Sequence, residues 1–249
     1  MPVSTSRQAS ALARLAELSL PGQVHVGTAP EPVRRLPSGL AAIDALLEGG
    51  VPRGRISEFL GPQSSGKTSL LLSLLAATTR RGEVAAWVDL ADAVHPESLL
   101  AAGADLHRLL WVRPAAVIDG LRCTELLLQA GGFAFVVLDL GAVRLRPLRS
   151  HVWPRLRHAA EQSHTALVVL APHRVAGSFA VLNLSFQLRL PLWRRRLWPL
   201  FEGFEAVVVM VRNKLGAPGR QIVIRVRESG SSPEPTFTLT RTMHAHDAR

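Results

Sequence analysis

Gly61-Pro62-Gln63-Ser64-Ser65-Gly66-Lys67-Thr68 is the stretch that decides the fold, because its spacing is that of a phosphate-binding loop. The two glycines allow the backbone to curl so that successive N–H groups point at phosphate oxygens. A helix beginning near Lys67 adds the positive end of its dipole, and Thr68 offers a hydroxyl to Mg²⁺. Lys67 is one of only two lysines in the chain, and its compact ammonium is not replaceable by an arginine fork. We therefore predict an ATP and Mg²⁺ site formed by residues Gly61, Pro62, Gln63, Ser64, Ser65, Gly66, Lys67, Thr68 and Ser69.

Short apolar runs rich in β-branched residues surround this loop and predict buried strands that alternate with helices. Arg55–Leu60 is predicted to be the strand entering the loop, and Thr68–Arg80 the helix leaving it. Four further strands are predicted at Val84–Leu90, Phe133–Leu140, Ala166–Leu170 and Ala206–Val211. The alternating patterns of Gln221–Val226 and Thr236–Thr240 predict antiparallel additions. The sequence therefore predicts an α/β fold, a three-layer sandwich with a mostly parallel central sheet and antiparallel C-terminal strands.

The first 35 residues differ from the rest of the chain in their pattern of apolar, proline and glycine residues. Residues 4–18 carry apolar positions at helical spacing behind serine caps, and residues 21–36 are punctuated by proline and glycine. We predict an N-terminal helix and linker over 1–35, a nucleotide-binding core over 36–242 and a tail over 243–249. No apolar run is long enough for a membrane span, no secretory signal is recognisable, and a lone Cys123 fits a reducing cytoplasm.

The charge of the chain is strongly positive, with a formal net charge of +10. A GC-rich genome would explain arginine in place of lysine but not this excess of positive charge. Between residues 140 and 200 there are ten arginines and one acidic residue, Glu161. This asymmetry predicts a polyanionic partner.

Carboxylates follow two predicted strands. Asp139 ends Phe133-Ala-Phe-Val-Val-Leu-Asp139, which would deliver it to the carboxyl edge of the sheet, where ligands bind in such folds. We predict that Asp139 and Thr68 hold Mg²⁺. Asp89 ends a second strand at the same edge, and the sequence leaves open whether it serves the site or only the following turn.

Several stretches, in the same order over roughly residues 36–228, resemble the RecA recombinase core. They are Leu36-Pro-Ser-Gly-Leu-Ala-Ala-Ile-Asp-Ala-Leu-Leu47, Gly49-Gly-Val-Pro-Arg-Gly-Arg-Ile-Ser-Glu58, the phosphate loop, Trp87-Val-Asp-Leu90, Leu138-Asp139 and Val211-Arg-Asn-Lys-Leu-Gly-Ala-Pro218. Within RecA-like proteins the chain is most similar to the ImuA family, through His151-Val-Trp-Pro-Arg-Leu-Arg-His-Ala-Ala-Glu161 and its C-terminus. That resemblance implies an accessory protein of SOS-induced mutagenesis, acting beside an inactive Y-family polymerase relative (ImuB-like) and an error-prone polymerase.

Three departures from the recombinase pattern concern ATP hydrolysis. The resemblance implies a water-activating glutamate where this chain has Ala91, with Asp92 one residue along as a weak substitute and candidate catalytic residue. The adenine-stacking tyrosine corresponds to Ser98, and the γ-phosphate-sensing glutamine to Pro172. Losing a positioned water activator costs ~10²–10⁴ in rate, so we expect ATP binding with weak or absent hydrolysis.

The resemblance also implies DNA loops and a protomer interface. Two shortened loops, 141–149 and 173–178, retain basic candidates for DNA or partner binding, namely Arg144, Arg146, Arg149 and Arg174. Arg212 and Lys214 match the pair that recombinases insert toward the ATP of a neighbouring protomer. An ordinary exposed basic strand end would give the same residues.

Leu190–Phe201 has no counterpart in the recombinase core, and its prolines favour a hairpin or loop. Its candidates for DNA or partner binding are Trp193, Arg194, Arg195, Arg196 and Trp198. Such a segment can anchor a protein partner, stack nucleic-acid bases, or pack its tryptophans back onto the core; the sequence leaves the three open.

Two functions follow as hypotheses. In the first, the chain is an ATP-binding accessory factor in translesion synthesis, acting in the bacterial cytoplasm at the nucleoid through a RecA-type recombinase, polymerase partners and single-stranded or duplex DNA. In the second, it is an autonomous DNA-dependent ATPase or recombinase paralogue that uses Asp92. A DNA-binding protein with a vestigial loop is a third, weaker hypothesis.

Overall fold

A computed structural model describes residues 33–141, 151–195, 199–227 and 236–244. Its strands are β1 Arg35–Leu36, β2 Val51–Pro52, β3 Ile56–Leu60, β4 Val84–Asp89, β5 Leu109–Val112, β6 Phe133–Asp139, β7 Ala166–Ala171, β8 Ala180–Arg195, β9 Pro199–Asn213, β10 Arg220–Arg227 and β11 Thr236–His244. Its helices are α1 Ala41–Leu46, α2 Lys67–Arg80, α3 Pro96–Ala101, α4 Val117–Ala130 and α5 Val152–Ser163, with a 3₁₀ turn at Leu106–Arg108. No helix of this described part is long and apolar enough to cross a membrane.

The described strands other than β1 and β2 form one nine-stranded sheet in the order β11-β10-β9-β8-β3-β7-β6-β4-β5. From β8 to β5 neighbouring strands run parallel, whereas β8, β9, β10 and β11 pair antiparallel. This confirms the predicted α/β fold with a mostly parallel central sheet and antiparallel C-terminal strands. The β1–β2 pair forms a separate two-stranded ribbon.

Apolar side chains cover both faces of the sheet. On one face, Phe59 and Trp87 of the sheet pack with Leu70, Leu71 and Leu74 of α2. The other face packs against α4 and α5, with Leu121, Leu128, Trp153 and Leu156. Because the central strands are buried on both sides, they read as continuous apolar runs in the sequence.

The predicted strands are present with bounds that differ by one or two residues, except at the C-terminal half. Strand β9 begins seven residues before the predicted Ala206, and β8 was not predicted as a strand. Register shifts at Leu188–Leu190 and at Leu192–Trp193 break the two-residue period that identifies a strand. The predicted hairpin around Leu190–Phe201 is the far end of this β8–β9 pair. Strand β11 continues through His244, two residues into the segment predicted as a tail.

The carboxyl edge of the parallel block gathers the functional candidates. Leu60 of β3 pairs with Ala171 of β7, and Asp139 of β6 pairs with both Leu170 and Asp89. The ends of β3, β7, β6 and β4 therefore open onto one edge, where the phosphate loop, Asp139 and Asp89 are neighbours, as expected for this class of sheet.

Candidate nucleotide-binding site

The phosphate loop connects β3 to the N-terminus of α2 and is shaped by close backbone contacts. A Cβ at Gly61 would lie 2.5 Å from the carbonyl oxygen of Phe186 and 2.9 Å from Ser65 Oγ, so only glycine fits there. Gly66 precedes the helix in the left-handed region, with φ of 93°. Ser64 also has a positive φ, 58°. These turns aim the first N–H groups of α2 into the concave side of the loop.

Lys67 holds its ammonium over the loop. Its Nζ donates to the carbonyl oxygens of Gly61, at 2.9 Å, and Pro62, at 2.8 Å. Burial lowers the pKa of Lys67, and the charge of Asp139 opposes that shift. The ammonium is therefore partly desolvated, which strengthens its attraction for an anion.

The loop has unused polar capacity that fits a phosphate group. Ser65 Oγ is buried without a hydrogen-bond partner, although buried hydroxyls nearly always have one. Pro62, Gln63 and Ser64 are exposed at the rim. The backbone N–H groups of the loop, Lys67 and the Thr68 hydroxyl are the groups that would hold the phosphates and Mg²⁺.

The two carboxylates at strand ends, Asp89 and Asp139, differ in how many backbone hydrogen bonds they accept. Asp89 accepts three backbone N–H groups, from Ala91, Ala93 and Val94, each at 3.2 Å. Asp139 accepts the N–H of Gly141 at 2.9 Å through one of its two oxygens. Asp89 thus shapes the following turn, while Asp139 retains lone pairs for a cation. Of the two readings that the sequence left open for Asp89, the structural one fits its contacts.

The surroundings of Asp139 disfavour a negative charge on its carboxylate. Burial and, to a smaller extent, the charge of Asp89 raise its pKa to about 6, against the opposing effects of the Gly141 N–H and Lys67. A divalent cation at this carboxylate would relieve both the burial and the repulsion from Asp89.

Position 91 lies beside the turn that follows Asp139. A Cβ at Gly141 would be 2.5 Å from the Cβ of Ala91, so the Ala91 methyl group borders the turn that follows Asp139. Asp92 has a positive φ of 48°, and its carboxylate pairs at 3.3 Å with Arg113, both side chains being largely exposed. Asp92, the candidate catalytic residue, therefore pairs with Arg113 on the surface just after β5 and not with a group of the phosphate loop.

The other two departures from the recombinase pattern are also on the described part of the chain. Ser98 lies exposed on α3. Pro172 follows β7, whose last carbonyl, that of Ala171, accepts the Gly61 N–H at 3.2 Å. Proline thus stands next to the phosphate loop with no N–H donor and no polar side chain.

Arg212 and Lys214 lie far from the phosphate loop of their own chain. The Lys214 N–H donates to Val181 at 2.8 Å, near the start of β3, which is ~13 Å along the strand from its loop end. The Arg212 guanidinium donates to the Gly177 carbonyl at 2.6 Å, and the Lys214 ammonium to that of Ser178. A triphosphate that these two cations bind would therefore be one held by another protomer and not the one in their own chain's loop.

The loop that carries Arg174 crosses β3 and is held by a buried carboxylate. Glu58, fully buried in β3, accepts the N–H groups of Val175 and Ala176, each at 2.7 Å, and the Asn183 side-chain amide at 2.8 Å. Sequence reasoning did not single out Glu58, although an acidic residue inside an apolar strand is itself a signal.

The β8–β9 pair runs beyond the sheet on the phosphate-loop side. Ser185 pairs with Leu60, so later β8 residues extend past that edge. Trp193 is 53% exposed and meets Phe201 edge-on, with ring centroids 5.4 Å apart. Arg194 and Arg195 end β8. Arg196, Trp198 and the first-loop candidates Arg144, Arg146 and Arg149 lie outside the described residues. Sequence reasoning also missed Phe204 of β9, which lies against Gly66.

Comparisons with known proteins agree with this geometry. Residues 23–150 match the family described as the RecA N-terminal domain. The protein RecA of Leifsonia xyli is 30% identical over 225 residues, covering 76% of this chain and 62% of that protein. That of Clavibacter michiganensis is 31% identical over 225 residues, covering 76% and 61%. The crystal structure of the RadB recombinase has the same fold, with a TM-score of 0.59 at 22% identity over 77% of this chain and 96% of that one. The chain spans about three fifths of the length of these two RecA relatives.

Proposed function

Because the chain belongs to the RecA family, we propose that it binds Mg²⁺ and ATP at the Gly61–Ser69 loop and works as an accessory factor with little or no ATP hydrolysis. Its resemblance to the ImuA family supports placing this role in damage-induced translesion synthesis. The partners are then a RecA-type recombinase, an inactive Y-family polymerase relative and an error-prone polymerase.

The observation that carries the proposal is the combination of a complete phosphate loop with an alanine at position 91, next to the turn that follows Asp139. General-base activation of water needs a side chain within hydrogen-bonding reach of it. At position 91, which borders the turn after Asp139, there is only a methyl group, and Asp92 pairs with Arg113. Binding groups are present, and the group that would activate water is replaced.

The positions of Arg212 and Lys214 support a partner-dependent role. Both cations are on the far side of the strand from their own loop, bound to carbonyls of the Gly177–Ser178 turn. A second protomer or a recombinase that presents its nucleotide to this edge would offer them stronger, charged acceptors. Two described surfaces suit DNA phosphates or a protein partner: the loop that carries Arg174, and the far end of the β8–β9 pair around Trp193.

Membership of the RecA family also favours a competing function, that of an autonomous DNA-dependent ATPase or recombinase paralogue. In that case Asp92 must leave Arg113 and reach the nucleotide when DNA binds. Such a protein would hydrolyse ATP faster on single-stranded DNA and exchange strands without another recombinase.

The deciding experiment measures nucleotide binding and phosphate release by the purified full chain, with and without single-stranded DNA and a RecA-type recombinase. Lys67→Ala is the variant that removes the loop cation, and Arg122→Ala, an exposed change on α4, is its matched control. We expect ATP binding that Lys67→Ala abolishes and Arg122→Ala preserves, with turnover near background. DNA-stimulated hydrolysis by the wild type that Lys67→Ala abolishes would instead establish the autonomous enzyme, and absence of any nucleotide binding would reject both.

A further inference from the structure

Phe204 brings an aromatic ring to the phosphate loop from a distant part of the chain. A Cβ at Gly66 would lie 3.1 Å from Phe204 Cε2 and 3.5 Å from Cζ. Gly66 is the N-cap of α2, immediately before Lys67. The ring edge is therefore next to the helix N-terminus that would hold the phosphates.

The ring belongs to an apolar row on the α2 face of the sheet. Phe204 continues the row of Ala206, Val208 and Met210, which are fully buried on that face, because alternate residues of a strand share a face. Phe204 itself is only half-buried. The row thus leaves the core at the level of the phosphate loop and ends in a partly uncovered ring.

Neighbouring strands extend this surface. Phe204 pairs with Val226 of β10, and Leu188 of β8 pairs with Ala206, so that paired side chains point to the same face. Leu188 is 49% exposed. Together Leu188, Phe204 and Val226 form an apolar shelf beside the loop, which we call the Phe204 shelf.

Helix α3, which follows β4 on the opposite flank of the site, carries no aromatic residue. The position there that corresponds to a base-stacking tyrosine is Ser98, exposed on α3, and the chain contains no tyrosine. A bound nucleotide must place its base within one nucleoside length of the loop. Trp111 of β5 also brings a ring to the α3 side, but the Arg113 guanidinium lies over it, 4.8 Å from its centroid. The ring that lies against the loop itself is that of Phe204.

We propose that Phe204 is the stacking platform for the base of the nucleotide whose phosphates lie in the Gly61–Thr68 loop. The inference rests on the proposed function and adds a specific binding residue to it. Stacking on a ring face needs no particular pattern of donors and acceptors, so the shelf accepts ATP and GTP with similar affinity. Specificity for a triphosphate then comes from the loop, and affinity for the nucleoside from the ring.

The test compares nucleotides with a ligand that has phosphates but no base. Calorimetry with Mg²⁺ measures the affinities of ATP, GTP and inorganic tripolyphosphate for the wild type, Phe204→Leu and Phe204→Trp. Phe201→Leu is the matched control, since Phe201 is an aromatic of the same strand whose ring lies against Trp193, farther along the strand from Gly66 than Phe204. Circular dichroism checks that each variant is folded, and leucine preserves most of the packing against Gly66.

We expect Phe204→Leu to weaken ATP and GTP roughly tenfold, a loss within the range of one base–aromatic stack, and to leave tripolyphosphate binding unchanged. Phe204→Trp should retain affinity and show quenching of its added indole by ATP but not by tripolyphosphate. Phe201→Leu should behave as wild type.

Two results overturn the inference while leaving the proposed function intact. One is ATP affinity of Phe204→Leu equal to that of the wild type; the other is an equal loss of ATP and tripolyphosphate, which would mean that the ring only supports the loop. If the wild type binds neither ATP nor tripolyphosphate, the proposed function itself fails and the inference falls with it.

Discussion

Replacing Asp139 by asparagine should stabilise the nucleotide-free protein while removing the carboxylate that the Mg²⁺ site requires. Burial raises the pKa of Asp139 from 3.8 to about 6. Each pKa unit corresponds to about 1.4 kcal/mol, so the ionised side chain lowers the free energy of unfolding by about 3 kcal/mol well above pH 6. Asparagine keeps the oxygen that accepts the Gly141 N–H, but its own buried N–H groups need partners. The net gain should therefore be ~1–3 kcal/mol.

The sign of the pH dependence follows from the raised pKa. An acid whose pKa is higher in the folded state favours folding while it is protonated, below its unfolded value of 3.8. That contribution is lost as the pH rises through about 6. The asparagine variant does not titrate here, so its advantage over the wild type should be absent near pH 4 and complete at about pH 8.

Urea unfolding of both proteins in EDTA, at several pH values from 4 to 8, measures this difference. Asp89→Asn is the matched control at the same edge, because Asp89 uses both oxygens to accept three N–H groups. An amide offers one acceptor oxygen, so this variant should be destabilised by ~1–3 kcal/mol. Mg²⁺-dependent ATP binding should disappear in Asp139→Asn. A destabilised Asp139→Asn at pH 8, or a stability difference that does not change with pH, would refute the reasoning.

Three further predictions test other contacts. Ala91→Glu should raise ATP turnover by ~10² or more, since it restores a general base next to the turn that follows Asp139, and an unchanged phosphate-release rate would argue against the lost-catalysis interpretation. Glu58→Gln should leave the free energy of unfolding in urea nearly unchanged. The glutamine oxygen can still accept the loop N–H groups, and the Asn183 amide can rotate so that its Oδ1, which has no partner, accepts from the glutamine NH₂ group. Glu58→Ala should lower the free energy of unfolding by ~3 kcal/mol or more, because it leaves buried N–H groups unpaired. Equal effects of the two variants would contradict the idea that Glu58 holds the crossing loop through these hydrogen bonds. The double change Arg212→Glu and Lys214→Glu should weaken association with itself or with a recombinase in sedimentation experiments at low salt without changing the affinity for ATP, whereas a parallel loss of ATP affinity would place these cations at their own chain's site.

Local patterns were sufficient for the parts of the site built from contiguous chain. A glycine-flanked loop between an apolar strand and a helix defines its own geometry, so the phosphate loop and the helix Lys67–Arg80 were predicted closely. The strand ending at Asp139 was equally legible, because a buried parallel strand is an uninterrupted apolar run. The family resemblance added Ala91, Ser98 and Pro172 as departures, which composition alone would not have shown.

Strand β8 and the extent of β9 could not be predicted from periodicity. Register shifts at Leu188–Leu190 and Leu192–Trp193 displace the side-chain alternation, and Pro191 weighs against a strand. The pairing with β9 nevertheless holds this segment as an arm beyond the sheet edge. Its route past the loop is what brings the Phe186 carbonyl to Gly61.

What the sequence determined by itself is the loop, its lysine, and the strand and helix that flank it, because these depend on residues adjacent along the chain. Asp89 and Asp139 show what it could not decide: both end apolar strands, yet only the folded turn shows that one carboxylate is saturated by N–H groups and the other is left open. The contact of Phe204 with Gly66 and the clamp of Glu58 on the crossing loop are likewise tertiary facts. They arise when sheet packing brings remote segments within hydrogen-bond or van der Waals distance, and no periodicity of the sequence records that distance.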